Sequence, residues 1–293
     1  MKVFRTEKGK KELYESYDRL INQWDFEVIE RDIETKFGIT HIVDSGNQDK
    51  PVLLLFHGVG DNSAMMWIFN AKALSENYRV IAVDAIGGPG KSIPNENYGK
   101  QFNQTEWITE LLDLLDIEKA HAAGVSYGCY LVQHLKIEIP DRIEKIIGMA
   151  GAINVEGSKS VMMRMMKVFL PEALFPTDKN MVKLIKKLTG PDYSELIINK
   201  ELMNHWRLML RNFNNASMSY HKINKFKKEE FTRLKNDALF IIGDHDVLSY
   251  YPGSLDIMDE LNMNYEIVKN AGHVINHEFP DLINKKIHAF LKN

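Results

Sequence analysis

Three residues of the chain, a serine, an aspartate and a histidine, stand in contexts that suit nucleophilic chemistry at a carbonyl group. Ser126 lies in the Gly-Val-Ser-Tyr-Gly stretch at 124–128, a spacing typical of a sharp strand-to-helix turn that exposes a serine hydroxyl. The flanking glycines lack Cβ atoms, so the backbone can bend tightly there. Asp246 and His273 each follow a later apolar run. A histidine can take the serine proton and return it to a leaving group, with the aspartate orienting the imidazole.

Several neighbouring residues could compete for these roles. Asp244 precedes Asp246 by two positions, and His277 follows His273 by one helical turn, which favours a surface or supporting role for His277. We interpret Cys129 as a packed small apolar residue rather than a second nucleophile. The Asp-His-Asp run at 244–246 could suggest a metal site, but adjacent residues rarely converge on one ion, so no metal and no organic cofactor are expected. The glycine-rich loop at 87–92 lacks the spacing of a phosphate-binding loop.

Composition excludes some classes of partner. The chain has 293 residues, of which 44% are hydrophobic and 26% charged, within the ordinary globular range. A net charge of −3 gives no electrostatic footprint for nucleic acid, so no nucleic-acid partner is expected. One cysteine, a polar N-terminal stretch and no apolar run of membrane-spanning length favour a cytoplasmic protein without a membrane span. Oligomeric state is left open.

The apolar runs indicate an α/β architecture. A helix is expected from about residue 12 to 24, then a β pair within 27–43, and then alternating strands and helices. The continuous apolar run at 51–56 is typical of a strand buried on both faces. One helix is expected from Asn62 or Ser63, either of which could cap it, to Leu74. Repeated strand–helix units predict a mostly parallel sheet of about eight strands with helices on both faces.

The alternation stops at about residue 151 and resumes near 237. This stretch reads as helical and holds eight of the chain's 14 methionines. We therefore divide the chain into a core, residues 1–150 and 237–293, and a helical insertion, residues 151–236. Methionine adapts to irregular space, which suits a lid over an apolar pocket. Candidate pocket residues are Met162, Met166, Trp206 and Phe213, together with His57 at the end of the first buried strand.

Together these features resemble the α/β-hydrolase superfamily over nearly the whole chain. The matching pieces are His57-Gly58, Asp84 before a glycine-rich loop, the stretch at 124–128, Gly243 to Asp246, and Gly272-His273. Each follows a predicted strand, and serine, acid and histidine come in that family's order. The chain looks most like small bacterial carboxylesterases with a helical cap after the sixth strand. It departs from them at residues 84–92, which lack the family's usual arginine and carry an extra glycine.

The resemblance implies a serine hydrolase of carboxylic esters with small or medium apolar acyl groups, acting through an acyl-serine intermediate. The family's Gly-x-x-Asp turn assigns the acid to Asp246 rather than Asp244, and the base to His273. Backbone N–H groups of Val59 and Tyr127 would form the oxyanion hole. His57 would support its loop through hydrogen bonds. Hydrolysis of a C–C bond, lactone, thioester or amide on the same triad, and a slow-turnover ligand sensor, remain open alternatives.

Overall fold

The computed structural model describes residues 2–151, 153–156, 162–250 and 252–292. Within these ranges, nine strands form a mixed sheet. Their bounds are β1 (Ile29–Thr35), β2 (Gly38–Asp44), β3 (Val52–Phe56), β4 (Arg79–Val83), β5 (Ile93–Pro94), β6 (Ala120–Val125), β7 (Ile143–Met149), β8 (Ala238–Gly243) and β9 (Tyr265–Val268).

The sheet has the order β1-β2-β4-β3-β6-β7-β8-β9, and β5 pairs with the edge of β2. Strands β4, β3, β6, β7, β8 and β9 are parallel, whereas β1 and β2 form the antiparallel pair that the sequence predicts. The expected mostly parallel sheet is thus confirmed, with the two-residue β5 as the strand beyond eight. Since the parallel strands share a direction, the loops after β3, β6, β8 and β9 lie along one edge.

Helices cover both faces of the sheet and fill the long connection between β7 and β8. Their bounds are α1 (Glu7–Ile21), α2 (Ser63–Met66), α3 (Ala71–Ser75), α4 (Gln104–Leu114), α5 (Tyr127–Glu138), α6 (Met162–Ala173), α7 (Asp178–Leu188), α8 (Ser194–Ile198), α9 (Lys200–Asn212), α10 (Lys228–Phe231), α11 (Pro252–Glu260), α12 (Ile275–Glu278) and α13 (Pro280–Lys292). Short 3₁₀ helices occupy Asn22–Trp24, Asn215–Tyr220 and Thr232–Leu234.

One expected helix is wrong. The stretch from Asn62 to Leu74 does not form a continuous helix but two short ones, α2 and α3, separated by a turn after Trp67. The backbone leaves helical values at Trp67, with φ −109° and ψ 8°, and the next helix begins only at Ala71. The first helix also begins earlier than expected, since Thr6 caps α1 by accepting the N–H of Gly9 at 3.0 Å.

The regular elements that the structure describes between β7 and β8 are helices. Helices α6 and α7 pack around a small separate apolar cluster, Val168, Leu184, Leu188 and Leu248. Leu248 belongs to the loop after β8 rather than to this connection. The inserted helices therefore share a core with a loop of the sheet's functional edge.

Helix α1 packs along α9, although the two lie far apart in sequence. Phe4 forms a β-bridge with Phe213, and the N–H of Arg5 donates to the carbonyl of Asn212 at 2.8 Å. Further along, the Ser16 hydroxyl donates to the Glu201 carboxylate at 2.9 Å. The N-terminal segment thus fastens α9 to the rest of the molecule.

Candidate active site

The turn at Ser126 has the sharp geometry that the sequence predicts. Ser126 has φ 57° and ψ −111°, a strained combination for a residue with a side chain. A Cβ on Gly124 would lie 2.2 Å from the carbonyl oxygen of Gly128, and one on Gly128 would lie 2.2 Å from that of Phe56. Only glycine fits at both positions. They let β6 pass directly into α5 with Ser126 at the corner.

The loops after β8 and β9 bring Asp246 and His273 together. His273 Nδ1 lies 3.0 Å from both carboxylate oxygens of Asp246, and both side chains are buried. Asp246 also accepts the N–H groups of Leu248 at 2.9 Å and Ser249 at 3.3 Å. These donors fix the carboxylate, so the proton on Nδ1 faces Asp246 and Nε2 is left as the basic nitrogen.

The pair is electrostatically coupled. Burial raises the pKa of Asp246, but the nearby His273 and the hydrogen bonds more than offset it, leaving the pKa below its ordinary value. Burial lowers the pKa of His273, and the Asp246 carboxylate reverses this, so the pKa lies above 6.5. A negative aspartate therefore stabilises the imidazolium that forms when His273 takes a proton.

Ser126 shares the sheet edge with this pair, but its hydroxyl makes no hydrogen bond to His273 or to any other residue in the described ranges. Catalytic hydrogen bonds are often long before substrate binds and shorten in the complex. The serine is partly exposed at the corner of its turn. The structure therefore places a partly exposed serine at the same sheet edge as a carboxylate-held imidazole.

The competing residues take other positions. His277 is buried, and its Nε2 donates to the carbonyl oxygens of Met65 at 3.1 Å and Met66 at 2.9 Å. Burial lowers the pKa of His277 to about 4, which suits a neutral structural imidazole. Asp244 contacts the adjacent His245 at 2.7 Å rather than His273. In the described part of the chain, no group of three or more His, Cys, Asp or Glu side chains could hold a metal ion.

His57 supports the loop after β3. The N–H of Ala85 donates to His57 Nε2 at 2.9 Å, so the proton is on Nδ1, which donates to the carbonyl of Gly58 at 2.8 Å. Burial lowers the pKa of His57 and keeps the ring neutral. Since both ring nitrogens bind main-chain groups, the imidazole shapes this loop rather than offering a donor to a ligand.

Two main-chain N–H groups remain available beside Ser126. Tyr127 is the first residue of α5, and the first N–H groups of a helix have no partner within it. Within the described ranges, neither this N–H nor that of Val59 donates a hydrogen bond. The Cβ of Ser126 lies 3.4 Å from where a Cβ on Gly58 would stand, so the loop bearing Val59 passes close to the serine.

Contacts that the sequence did not reveal join this loop to the inserted helices. Asn62 is fully buried, and its Nδ2 donates to His205 Nε2 of α9 at 2.9 Å and to the carbonyl of Pro89 at 3.2 Å. The sequence indicated Asn62 only as a possible helix cap, a role confirmed by the Met65 N–H at 3.2 Å. Nothing in the local pattern pointed to His205, because its partner lies 143 residues away.

The expected pocket residues of the insertion lie in different environments. Met166 is 44% exposed on α6, and the side chain of Met162 lies outside the described residues. Trp206 is half-buried and packs against both the main core and the small cluster beneath α6 and α7. Phe213 is buried in its bridge with Phe4. Of the described candidates, Trp206 packs against the cluster that includes Leu248, in the loop after β8.

Comparison with known proteins agrees with this geometry. The model of the family described as alpha/beta hydrolase fold matches residues 51–280. The chain belongs to the α/β-hydrolase fold family. This α/β-hydrolase is 28% identical to carboxylesterase YbfK of Bacillus subtilis, over 95% of this chain and 93% of that protein. It is also 28% identical to the uncharacterized carboxylesterase nap of the same bacterium, over 94% and 91% of the two chains.

A solved structure extends the likeness to three dimensions. The crystal structure of carboxylesterase CesB (YbfK) from B. subtilis superimposes with a TM-score of 0.81 at 26% identity, covering 97% of this chain and 98% of that one. The resemblance to small bacterial carboxylesterases is thus confirmed. Separately, no helix in the described ranges has the length and apolar character needed to cross a bilayer.

Proposed function

We propose that this α/β-hydrolase cleaves carboxylic esters through an acyl-Ser126 intermediate. The observation that carries the proposal is the coincidence, at one sheet edge, of the strained Ser126 turn and the Asp246–His273 pair at 3.0 Å. The similarity to two carboxylesterases over more than nine-tenths of the chain supports an ester as the substrate.

The proposed steps use this chain's own groups. His273 Nε2 takes the proton of Ser126 as the hydroxyl oxygen attacks the ester carbonyl, and Asp246 stabilises the imidazolium. The carbonyl oxygen becomes an oxyanion held by the N–H groups of Tyr127 and Val59, of which the loss of one typically costs about 10²–10³ in kcat. His273 then protonates the leaving alcohol. A water molecule, activated by the same imidazole, releases the acid and restores Ser126.

We propose residues 151–236 as a cap that selects the acyl group. Helices α6 and α7 pack against Leu248 and Val274, which lie two residues after Asp246 and one residue after His273 in the sequence. Met163 and Met166 on α6 are 65% and 44% exposed, so this part of the insertion offers adaptable apolar surface. Small or medium apolar acyl esters are the substrates that such a surface fits.

The test is hydrolysis of a short-chain nitrophenyl ester by Ser126→Ala. Loss of a catalytic serine lowers kcat by about 10⁶-fold in serine hydrolases, so turnover should fall to background. A serine-directed phosphonate should label the wild type and not the variant. Ser75→Ala is the matched control, because Ser75 bonds the carbonyl of Lys72 in α3. Undiminished turnover by Ser126→Ala, together with normal labelling by the phosphonate, would refute the proposal.

A panel of substrates separates ester hydrolysis from related reactions. Purified protein is offered nitrophenyl esters of increasing acyl length, a lactone, a thioester and an aryl amide at equal concentration. The proposal expects the highest kcat/KM on a short or medium ester. Preference for another bond by tenfold or more would retain the triad but reassign the substrate class.

A further inference from the structure

The loop that carries His273 rests on the turn between α7 and α8 of the insertion. The carbonyl of Leu188 accepts the N–H of His273 at 2.6 Å and that of Val274 at 3.3 Å. A Cβ on Gly272 would lie 2.3 Å from the same carbonyl, and one on Gly190 would lie 1.8 Å from the carbonyl of Asn270. The two segments are therefore in direct main-chain contact, with glycine required on each side.

The carboxylate of Glu278 closes this contact. Its Oε1 accepts the N–H of Gly190 at 2.5 Å, and its Oε2 accepts the N–H of Gly272 at 2.8 Å. Glu278 is the last residue of α12 and lies five residues after His273 in the sequence. One side chain thus joins Gly190 of the insertion to Gly272, the residue directly before His273. Hydrogen bonds to a charged acceptor are stronger than those to a neutral one.

We infer that Glu278 is a positioning residue for His273, holding the imidazole in register with Asp246 by tying Gly272 to the Leu188–Gly190 turn. This inference rests on the proposed function, because it takes His273 as the base. The hydrogen bonds of Glu278 go to Gly190 and Gly272 and those of the imidazole to Asp246, so the carboxylate and the ring share none. Glu278 acts through the main chain, and a displacement of the reacting groups by about 1 Å can lower the rate by about 10².

The electrostatics agree with that placement. Burial raises the pKa of Glu278 to about 7, against the effect of its two N–H donors, and Asp246 adds to the rise. Asp246 and His245, on the loop after β8, are the charged groups whose fields reach Glu278. Glu278 in turn helps to raise the pKa of His273, after Asp246. Removing the negative charge that Glu278 carries above a pH of about 7 should therefore lower the pKa of His273.

The experiment measures kcat, KM and the pH profile of the full-length protein on a nitrophenyl ester. Glu278→Ala removes both bridging bonds and should lower kcat about 10- to 100-fold with KM changed less than threefold. Glu278→Gln keeps one acceptor and should fall between this variant and wild type. In both variants the acid limb of kcat/KM should shift to lower pH, because a less basic His273 is neutral at lower pH.

Glu110→Ala is the matched control. Glu110 is also half-buried and also accepts a main-chain N–H, that of Lys36 at 2.9 and 3.0 Å, but it lies on α4 away from the proposed triad. It should leave kcat and the acid limb unchanged. A Glu278→Gln variant with wild-type kcat and an unshifted acid limb would overturn the inference even if Glu278→Ala did not fold.

Failure of the positioning role of Glu278 can be distinguished from failure of the proposed ester hydrolysis. If Ser126→Ala and His273→Ala are inactive while both Glu278 variants keep wild-type kinetics, only the positioning role is wrong. If the wild type hydrolyses no ester, the pKa of His273 is read by NMR titration of the imidazole in wild type and Glu278→Gln. A lower pKa in the variant supports the inference without any activity, and an equal pKa contradicts it.

Discussion

Replacing Asn62 by alanine should destabilise the protein far more than the loss of a helix cap explains. Asn62 caps α2 through Met65, and it also donates to the carbonyl of Pro89 and to His205 Nε2. The Asn62 side chain that makes these hydrogen bonds is fully buried. The substitution removes the cap and leaves two further buried polar groups, the carbonyl of Pro89 and Nε2 of His205, without their partner.

The size of the effect follows from these contacts. Loss of an Asn cap costs about 1 kcal/mol. Each buried group left unsatisfied costs about 1–3 kcal/mol, and neighbouring losses do not add fully because the site can relax. The free energy of unfolding should therefore fall by about 3–5 kcal/mol. For a chain of this length that lowers Tm by on the order of 10 °C.

Urea unfolding followed by circular dichroism measures the change, with the slope m held equal between variants so that the midpoint reports stability. Asn103→Ala is the matched control, because Asn103 also caps a helix, by accepting the N–H of Glu106 at 3.0 Å, but is exposed to solvent. It should lose only about 1 kcal/mol. Equal losses in the two variants would refute the argument from buried bonds.

A double-mutant cycle assigns part of the loss to the contact with the insertion. His205→Leu removes the partner of Asn62 on α9 while keeping apolar volume. Directly bonded residues couple by about 0.5–3 kcal/mol, so the double variant should be more stable than the sum of the single losses predicts. Simple additivity would mean that the 2.9 Å contact contributes nothing to holding α9 over the loop.

Two further predictions concern charge. Asp246→Asn should lower kcat about 10⁴-fold, because an amide favours the wrong tautomer of His273. Asp244→Asn should lower kcat less than tenfold. Ester turnover by the two variants decides which aspartate orients the histidine. Stability should fall as pH decreases from 6.5 to 5, because buried neutral histidines have a pKa of about 3 or 4 in the folded protein and bind protons only on unfolding. These are His134, His205, His221 and His277. Burial raises the pKa of Asp61 and of Glu278 to about 7, so these two groups stabilise the folded protein as pH decreases. They are fewer than the four histidines. The urea midpoint measured at several pH values checks this. His205→Leu should reduce the slope of unfolding free energy against pH by up to about 1.4 kcal/mol per pH unit. An unchanged slope would contradict the low pKa assigned to His205.

The sequence predicted the features of the site that depend on local backbone constraints. The glycines around Ser126 are required by contacts to carbonyls within a few residues or on the adjoining strand, so their spacing is visible in one dimension. Asp246 and His273 could be placed because each follows an apolar run, and parallel strands bring such loops to one edge. The fold was readable for the same reason, since buried strands read as continuous apolar runs.

Contacts between segments that are distant in the sequence could not be predicted from local patterns. The carboxylate of Glu278 looks like any polar residue of a helix, yet it bonds Gly190, 88 positions earlier. Likewise, no glycine or proline marks the break after Trp67 that separates α2 from α3. Pairings of this kind have no period in the sequence and follow only from how the elements pack.

The attachment of α1 to α9 has a consequence for folding order. The carbonyl of Lys2 accepts a hydrogen bond from Asn214 across 212 residues, and Ser16 reaches Glu201 across 185. During synthesis residues 2–21 leave the ribosome before α9, so these two contacts can form only after β1 to β7 have been made. Contacts between segments so far apart in sequence form slowly, so we expect α9 to be fastened to α1 late in folding, around a core that β3 to β7 already provide.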